Sequence, residues 1–219
     1  MLIDIHRHSS SKGNADQVLR NLFHSEVDQI ESTNICSIGL HPWHLNPDTW
    51  REDIMVIKDY AGSDKVLAIG ETGLDKAIET PLEDQRNAFN IQLQIASDFN
   101  KPVIIHCVRA YDELLSFRKN SNNKLPWIIH WYNGSPQTGE DLIKKNCYLS
   151  FGHMLLNEKS KAYKTFLKVP LEKVFFETDD ANINIDEVYK RAATLRNIKE
   201  EKIVEIIKHN FEMCFKTKL

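Results

Sequence analysis

Eight short apolar runs recur along the chain, at residues 3–5, 18–23, 35–40, 66–69, 103–105, 127–129, 147–151 and 174–176, separated by longer amphipathic or charged stretches. Several are rich in Val and Ile at every position, the pattern of strands buried on both faces in a parallel sheet. Helix candidates lie between them. Thr80-Pro81-Leu82-Glu83 offers an N-cap Thr, a Pro at the first helical position and a Glu three residues after the cap. Leu82, Phe89, Leu93, Ala96 and Phe99 then mark one helical face. Ser135-Pro136 opens another candidate, and residues 199–215 carry Ile203, Ile206, Ile207, Phe211 and Cys214 at the same period. This alternation predicts an α/β fold with a mostly parallel sheet and outer helices. An open doubly wound sheet and a closed barrel both satisfy it, and eight runs favour the barrel. One connection is short: ten residues separate His24 from Ile35, whereas a parallel crossover needs about a dozen. The expectation is therefore an irregular TIM (β/α) barrel of seven or eight strands, forming one domain over residues 1–219. Ser9-Ser10-Ser11-Lys12-Gly13 reads as a surface loop.

Composition narrows the partners. Lys and Arg number 28 against 31 Asp and Glu, a net charge of −3, so a nucleic acid or anionic membrane would need a local basic patch to be attracted. At 42% hydrophobic and 27% charged, the chain has ordinary globular usage. No apolar run approaches the ~20 residues of a membrane span, and the first residues lack the pattern of a secretory signal. Cys36, Cys107, Cys147 and Cys214 are widely spaced without a CxxC pair, and read as reduced thiols. The expectation is a cytoplasmic protein with no membrane partner and a monomer by default.

The informative feature is where the histidines fall. The first run ends in His6-Arg7-His8, the fourth in Glu71, the fifth in His106, the sixth in His130 and the eighth in Asp179. In parallel α/β folds, ligands and catalytic groups gather at the C-terminal ends of the strands. His-x-His puts two imidazoles on one side of an extended strand, which suits two ligands of one cation. Singly, each residue has an ordinary structural explanation. Together, four imidazoles and two carboxylates at one edge would be costly to bury without a cation. Six donors exceed what one catalytic ion needs and suit two ions sharing a carboxylate. The nitrogen and oxygen mixture accommodates Zn, Mn or Mg.

The motifs Ile3-Asp4-Ile5-His6-Arg7-His8, Gly39-Leu40-His41-Pro42-Trp43, Ala68-Ile69-Gly70-Glu71-Thr72-Gly73-Leu74-Asp75, Pro102-Val103-Ile104-Ile105-His106, Ile129-His130 and Glu177-Thr178-Asp179 follow in the order seen in TatD proteins. The chain thus resembles the TatD family of metal-dependent hydrolases, within the amidohydrolase-like TIM-barrel superfamily. The resemblance runs to about Asp179, and more loosely through Asn210 and Phe215. It implies that His6, His8 and Asp179 hold one ion, His106 and His130 a second, and Glu71 bridges them. It also implies magnesium and a DNase-like activity.

On that basis the chain is expected to be a two-metal hydrolase of phosphoester bonds, with nucleic acid or a small phosphoester as substrate. Metal coordination lowers the pKa of water from 15.7 to about 7 in the zinc case, roughly 12 kcal/mol of ionisation free energy. Asp179 would align that water and accept its proton, with Glu71 the second catalytic carboxylate. His41, Lys76, Arg109 and Trp131 are the candidate substrate contacts. Amide or ester hydrolysis on the same site is the alternative, and a non-catalytic module stabilised by metal a third reading. Three features depart from the family pattern: Cys107-Val108 replaces Ser-Arg after His106, Lys76 replaces an aromatic residue, and residues 180–186 run into a helix without the usual Arg-Asn-Glu-Pro stretch. The ligands are retained while the substrate-facing loops differ.

Overall fold

The computed structural model describes residues 1–8, 13–121 and 124–219. Residues 9–12 of the expected Ser-rich loop lie outside the described residues. Among the described residues each predicted run is a strand: β1 (Ile3–Arg7), β2 (Gln17–Phe23), β3 (Cys36–Gly39), β4 (Val66–Asp75), β5 (Val103–Val108), β6 (Trp127–Ile129), β7 (Cys147–Phe151) and β8 (Val174–Phe176). They form one sheet in chain order, with parallel pairing recorded for β1–β2, β3–β4, β4–β5 and β7–β8. A parallel bridge also joins Arg7, at the end of β1, to Asp179, just after β8. This is the strand order of an irregular (β/α) barrel with eight parallel strands. The helices are α1 (Trp50–Tyr60), α2 (Leu82–Asp98), α3 (Tyr111–Asn120), α4 (Pro136–Lys144), α5 (Lys161–Phe166), α6 (Ile185–Arg196) and α7 (Glu200–Phe215).

The short connection after β2 is made by a 3-10 helix over His24–Ser32. At about 2.0 Å per residue rather than 1.5, this winding carries nine residues further than an α-helix would. The expected start of α2 is displaced. Pro81 occupies the cap, with an extended backbone and no capping side chain. The Thr80 carbonyl instead accepts Gln85 Nε2 at 2.8 Å, so Thr80 serves a side chain of the helix without capping it. Ser135 does cap α4, its Oγ accepting from Thr138 N at 3.1 Å, with Pro136 in the first turn as anticipated.

The chain divides into two compact units, Met1–Arg20 with Ile129–Leu219, and Asn21–Ile128. In the first, Ile203, Ile207 and Phe211 of α7 are buried, each contributing about 1.5–3 kcal/mol of hydrophobic stabilisation. Asn210 on the same face donates to the carbonyls of Leu171 and Val174 at 2.7 and 2.9 Å, tying α7 to the start of β8. Tyr189 of α6 bonds both backbone groups of Ile3 through its hydroxyl, at 3.1 and 3.0 Å.

In the second unit, buried amides fix the ends of β3 and β4. Gln92 of α2 accepts from Leu40 N at 2.8 Å and donates to Leu40 O at 3.1 Å and Thr72 Oγ1 at 2.6 Å. Gln85 accepts from Asp75 N at 2.7 Å and donates to Asp75 O at 3.0 Å. Asn21 Oδ1 accepts from Glu71 N at 2.7 Å and Ser37 Oγ at 3.0 Å. Each bond adds about 0.5–1.5 kcal/mol net, and together they hold the backbone that carries Glu71 and Asp75.

Candidate metal centre

In the first unit, β1 alternates so that Asp4, His6 and His8 share one strand face. His6 is fully buried and His8 partly so. Asp179 lies in the left-handed region at φ 52°, a conformation unusual for a residue with a Cβ. Its amide donates to His6 O at 2.9 Å, which helps to hold it there. As a result Asp179 Oδ1 lies 3.3 Å from His8 Nε2 and 3.6 Å from His6 Nε2. His130, immediately after β6, places its ring 4.4 Å from that of His6. One donor atom each from His6, His130 and Asp179 falls within 4.8 Å of the others. His8, Asp179 and Asp180 form a second such group. Two ligands about 2.1 Å from one ion stand about 3.0 Å apart at right angles and about 3.4 Å apart in a tetrahedron, so this donor set fits a divalent cation.

Two buried carboxylates stand behind these donors. Glu177 accepts from Trp131 N through Oε1, which lies 3.4 Å from His130 Nδ1. That leaves Nε2 of His130 to face a ligand. Asp4 accepts from Thr178 N at 3.0 Å and Thr178 Oγ1 at 2.5 Å, fixing the turn that presents Asp179. Burial pushes the Asp4 carboxyl up to about 6 despite the Thr178 bonds that favour its charged form.

The second unit holds its own cluster. Glu71 and Asp75 come from β4, His106 from β5 and His41 from the turn after β3. His41 Nδ1 accepts the Trp43 amide at 3.1 Å, so Nε2 carries the proton, 3.2 Å from Glu71 Oε1. The same carboxylate oxygen is 2.9 Å from His106 Nδ1. His106 Nε2 lies 3.1 Å from Asp75 Oδ2, which also accepts Trp43 Nε1 at 2.8 Å. Asp75 Oδ1 takes Ala77 N at 2.8 Å. Burial pushes Asp75 upward, and the bonds from Trp43, Ala77 and His106 outweigh it, holding this carboxyl below its ordinary value. A carboxylate behind one imidazole nitrogen is the usual way to orient the other nitrogen toward a metal. One nitrogen or carboxylate oxygen each from Glu71, His106 and His41 falls within 4.8 Å of the others; with both nitrogens of His41 engaged, Glu71 and His106 are the two left to meet a metal.

Local sequence explains how β4 brings two carboxylates to β5. Between Ile69 and Thr72 its register on β5 shifts by one residue, which lets β4 continue past the run expected at 66–69 to Asp75. Gly70 and Gly73 have φ of +140° and +149°, and a Cβ there would stand 2.4 Å from Ile104 O and 2.0 Å from His106 O. Only glycine allows that approach.

The remaining predicted contacts lie as follows. Arg109 is exposed with φ 54°. Lys76 pairs with Glu113 at 3.3 Å, a carboxylate that also takes Arg86 at 2.6 Å. Trp131 packs its ring 4.9 Å from His153. Its neighbour in sequence, Tyr132, is buried, its hydroxyl donating to Ser135 O at 2.7 Å. Sequence reasoning left Asp4, Glu177 and Trp43 without a role, although Asp4 is readable as the third residue on the His6 and His8 face.

A parallel β/α fold with imidazole and carboxylate clusters at strand ends defines the class of barrel hydrolases that work with divalent metals. Residues 23–216 match the profile of the TatD related DNase family, and the chain belongs to that family. It is 33% identical over 146 residues to YabD of Bacillus subtilis, described as an uncharacterized metal-dependent hydrolase, covering 65% of this chain and 57% of YabD. It is 30% identical over 165 residues to the 3'-5' ssDNA/RNA exonuclease TatD of Citrobacter rodentium, covering 73% of this chain and 62% of that protein. The matches thus span about 60% of these relatives' length. Among solved structures, YJJV, a TatD homolog of Escherichia coli K12, superposes with a TM-score of 0.86 at 21% identity, covering 99% of this chain and 98% of that one. That likeness supports the fold.

Proposed function

We propose that this chain hydrolyses phosphodiester bonds with divalent metal ions held by its two clusters, and that its substrates are single-stranded nucleic acid ends. The observation that carries the reading is a repeated motif: a carboxylate at ligand spacing from imidazoles, with a second, buried carboxylate behind one of those imidazoles. Glu71, His106 and Asp75 make one instance; Asp179, His6, His130 and Glu177 make the other. The exonuclease description of the Citrobacter relative supports the choice of substrate.

A bound divalent ion would acidify water and offset the charge that develops on the phosphoryl group. The chain's own residues do the remaining work. Asp179 is partly exposed, and accepts the proton of the attacking water as the new P–O bond forms and the ester P–O bond breaks, the departing oxygen taking up a proton from solvent water to leave as the alcohol. Glu177 and Asp75 hold His130 and His106 in the orientation that presents a lone pair, and the His41 N–H holds Glu71.

The test is release of nucleotides from single-stranded DNA, duplex DNA and RNA, with Mg or Mn added and with chelator. The expected result is metal-dependent release from single strands. Absence of release from all three, with turnover of an acyl substrate panel, would refute the phosphodiester assignment and move the chemistry to carbonyl carbon.

A further inference from the structure

Trp43 combines two properties that seldom coincide. It is the most exposed large apolar side chain among the described residues, at 63%. It is also held in place: its indole N–H donates to the buried Asp75 carboxylate at 2.8 Å. Its ring stands 5.0 Å from that of His41 and 5.8 Å from that of His106, nearly perpendicular to both. An indole recruited for hydrophobic burial would turn inward, and one merely left on the surface would keep its rotamer freedom. Trp43 is oriented by a charge-assisted hydrogen bond while most of its surface stays in water, beside two imidazoles of the His41–Glu71–His106 cluster.

We propose that Trp43 is the stacking platform for the nucleobase of the nucleotide whose phosphate is processed at that cluster. This rests on the phosphodiesterase reading and adds to it a base-binding subsite. A flat neutral ring accepts any base on its face, so the subsite favours nucleotides over other phosphoesters without reading sequence. With a net charge of −3 on the chain, stacking also supplies affinity for an anionic strand that global electrostatics does not.

The experiment compares deoxyadenosine 5'-monophosphate with 2-deoxyribose 5-phosphate, which carries a hydroxyl in place of the base, by isothermal titration calorimetry, with intrinsic tryptophan emission as a second readout in wild type. Wild type, Trp43→Leu and Trp43→Phe are measured with and without Mg. Wild type should bind the nucleotide about 5- to 150-fold more tightly than the sugar phosphate, with quenching of emission. Trp43→Leu should lose the preference. Trp43→Phe, which keeps a ring but has no N–H, should keep most of the preference. Equal preference in wild type and Trp43→Leu would overturn the proposal. So would a Trp43→Phe protein that behaves like Trp43→Leu, since the residue would then act only by positioning Asp75. A parallel assay of an ordinary and an abasic oligonucleotide separates the two levels of inference. Cleavage of both at a ratio unaltered by Trp43→Leu refutes the subsite alone, whereas cleavage of neither refutes the phosphodiesterase reading and the subsite with it.

Discussion

Asp75→Asn is the sharpest test of how the second cluster is organised. The carboxylate accepts three hydrogen bonds: Ala77 N on Oδ1, and Trp43 Nε1 and His106 Nε2 on Oδ2. An amide has one acceptor atom. If the Asn oxygen serves Ala77, its NH2 faces the Trp43 N–H, and His106 must move its proton from Nε2 to Nδ1. That proton then points at Glu71, and the nitrogen is lost as a metal ligand. If the Asn is flipped, the donor–donor conflict moves to Ala77. Either way a partly buried donor loses its bond to a charged acceptor, worth about 1.5–3 kcal/mol, and a chain of this size should lose roughly 3–12 °C in Tm. Altering the group behind a ligating imidazole also weakens metal binding by about 10- to 100-fold. Thermal melts of chelator-treated protein give the first quantity, and competition with a chromophoric chelator for Mn or Zn gives the second. A variant with unchanged Tm and unchanged metal affinity would refute the assigned hydrogen bonding and the role given to His106.

Other outcomes follow from the same geometry. Asp179→Asn should lower turnover by about 10²- to 10⁴-fold while keeping the wild-type melting profile, because Asn tolerates the φ of 52° at this position; steady-state kinetics and circular dichroism check both. Gly73→Ala should destabilise by more than about 3 kcal/mol, since the new Cβ would collide with His106 O, and a Tm within about 2 °C of wild type would contradict the β4–β5 packing. Burial raises the Tyr148 phenol to about 12 and raises that of Tyr189 as well. Unfolded tyrosine ionises near 10, so their contribution to stability is complete below pH 10 and is lost as pH rises toward 12. Absorbance at the phenolate band should therefore show these two ionising together with alkaline unfolding, and early titration of all six tyrosines would argue against their burial.

The strands were legible because a strand buried on both faces has to be apolar at nearly every position, as residues 103–105 and 174–176 are. The extent of β4 was not, because residues 70–75 hold two glycines, three polar residues and a single apolar Leu74, and look like a loop until their hydrogen bonds to β5 and α2 are seen. The start of α2 misled as well: Thr80-Pro81-Leu82-Glu83 carries every local capping signal, yet Pro81 occupies the cap and Gln85, in the first turn of the helix, takes the Thr80 carbonyl. At the site, residue types and strand ends could be read from spacing. Which imidazole faces which carboxylate could not, since His41 meets Glu71 only through the turn at Pro42–His44. Asp75, ending the Gly-Leu-Asp turn, is readable as a carboxylate that orients a ligand, and it lies against His106, whereas the carboxylate at 177 is indistinguishable from a surface acid until its burial is known.

The amide clamps carry an evolutionary consequence. Gln85, Gln92 and Asn21 anchor the ends of β3 and β4 from the interior, so the backbone beneath Glu71 and Asp75 is held from α2 and β2 and not by the side chains of the turn at 76–79. Those side chains are thereby free to drift, and a lineage can change which molecules it accepts while inheriting its inorganic chemistry unaltered.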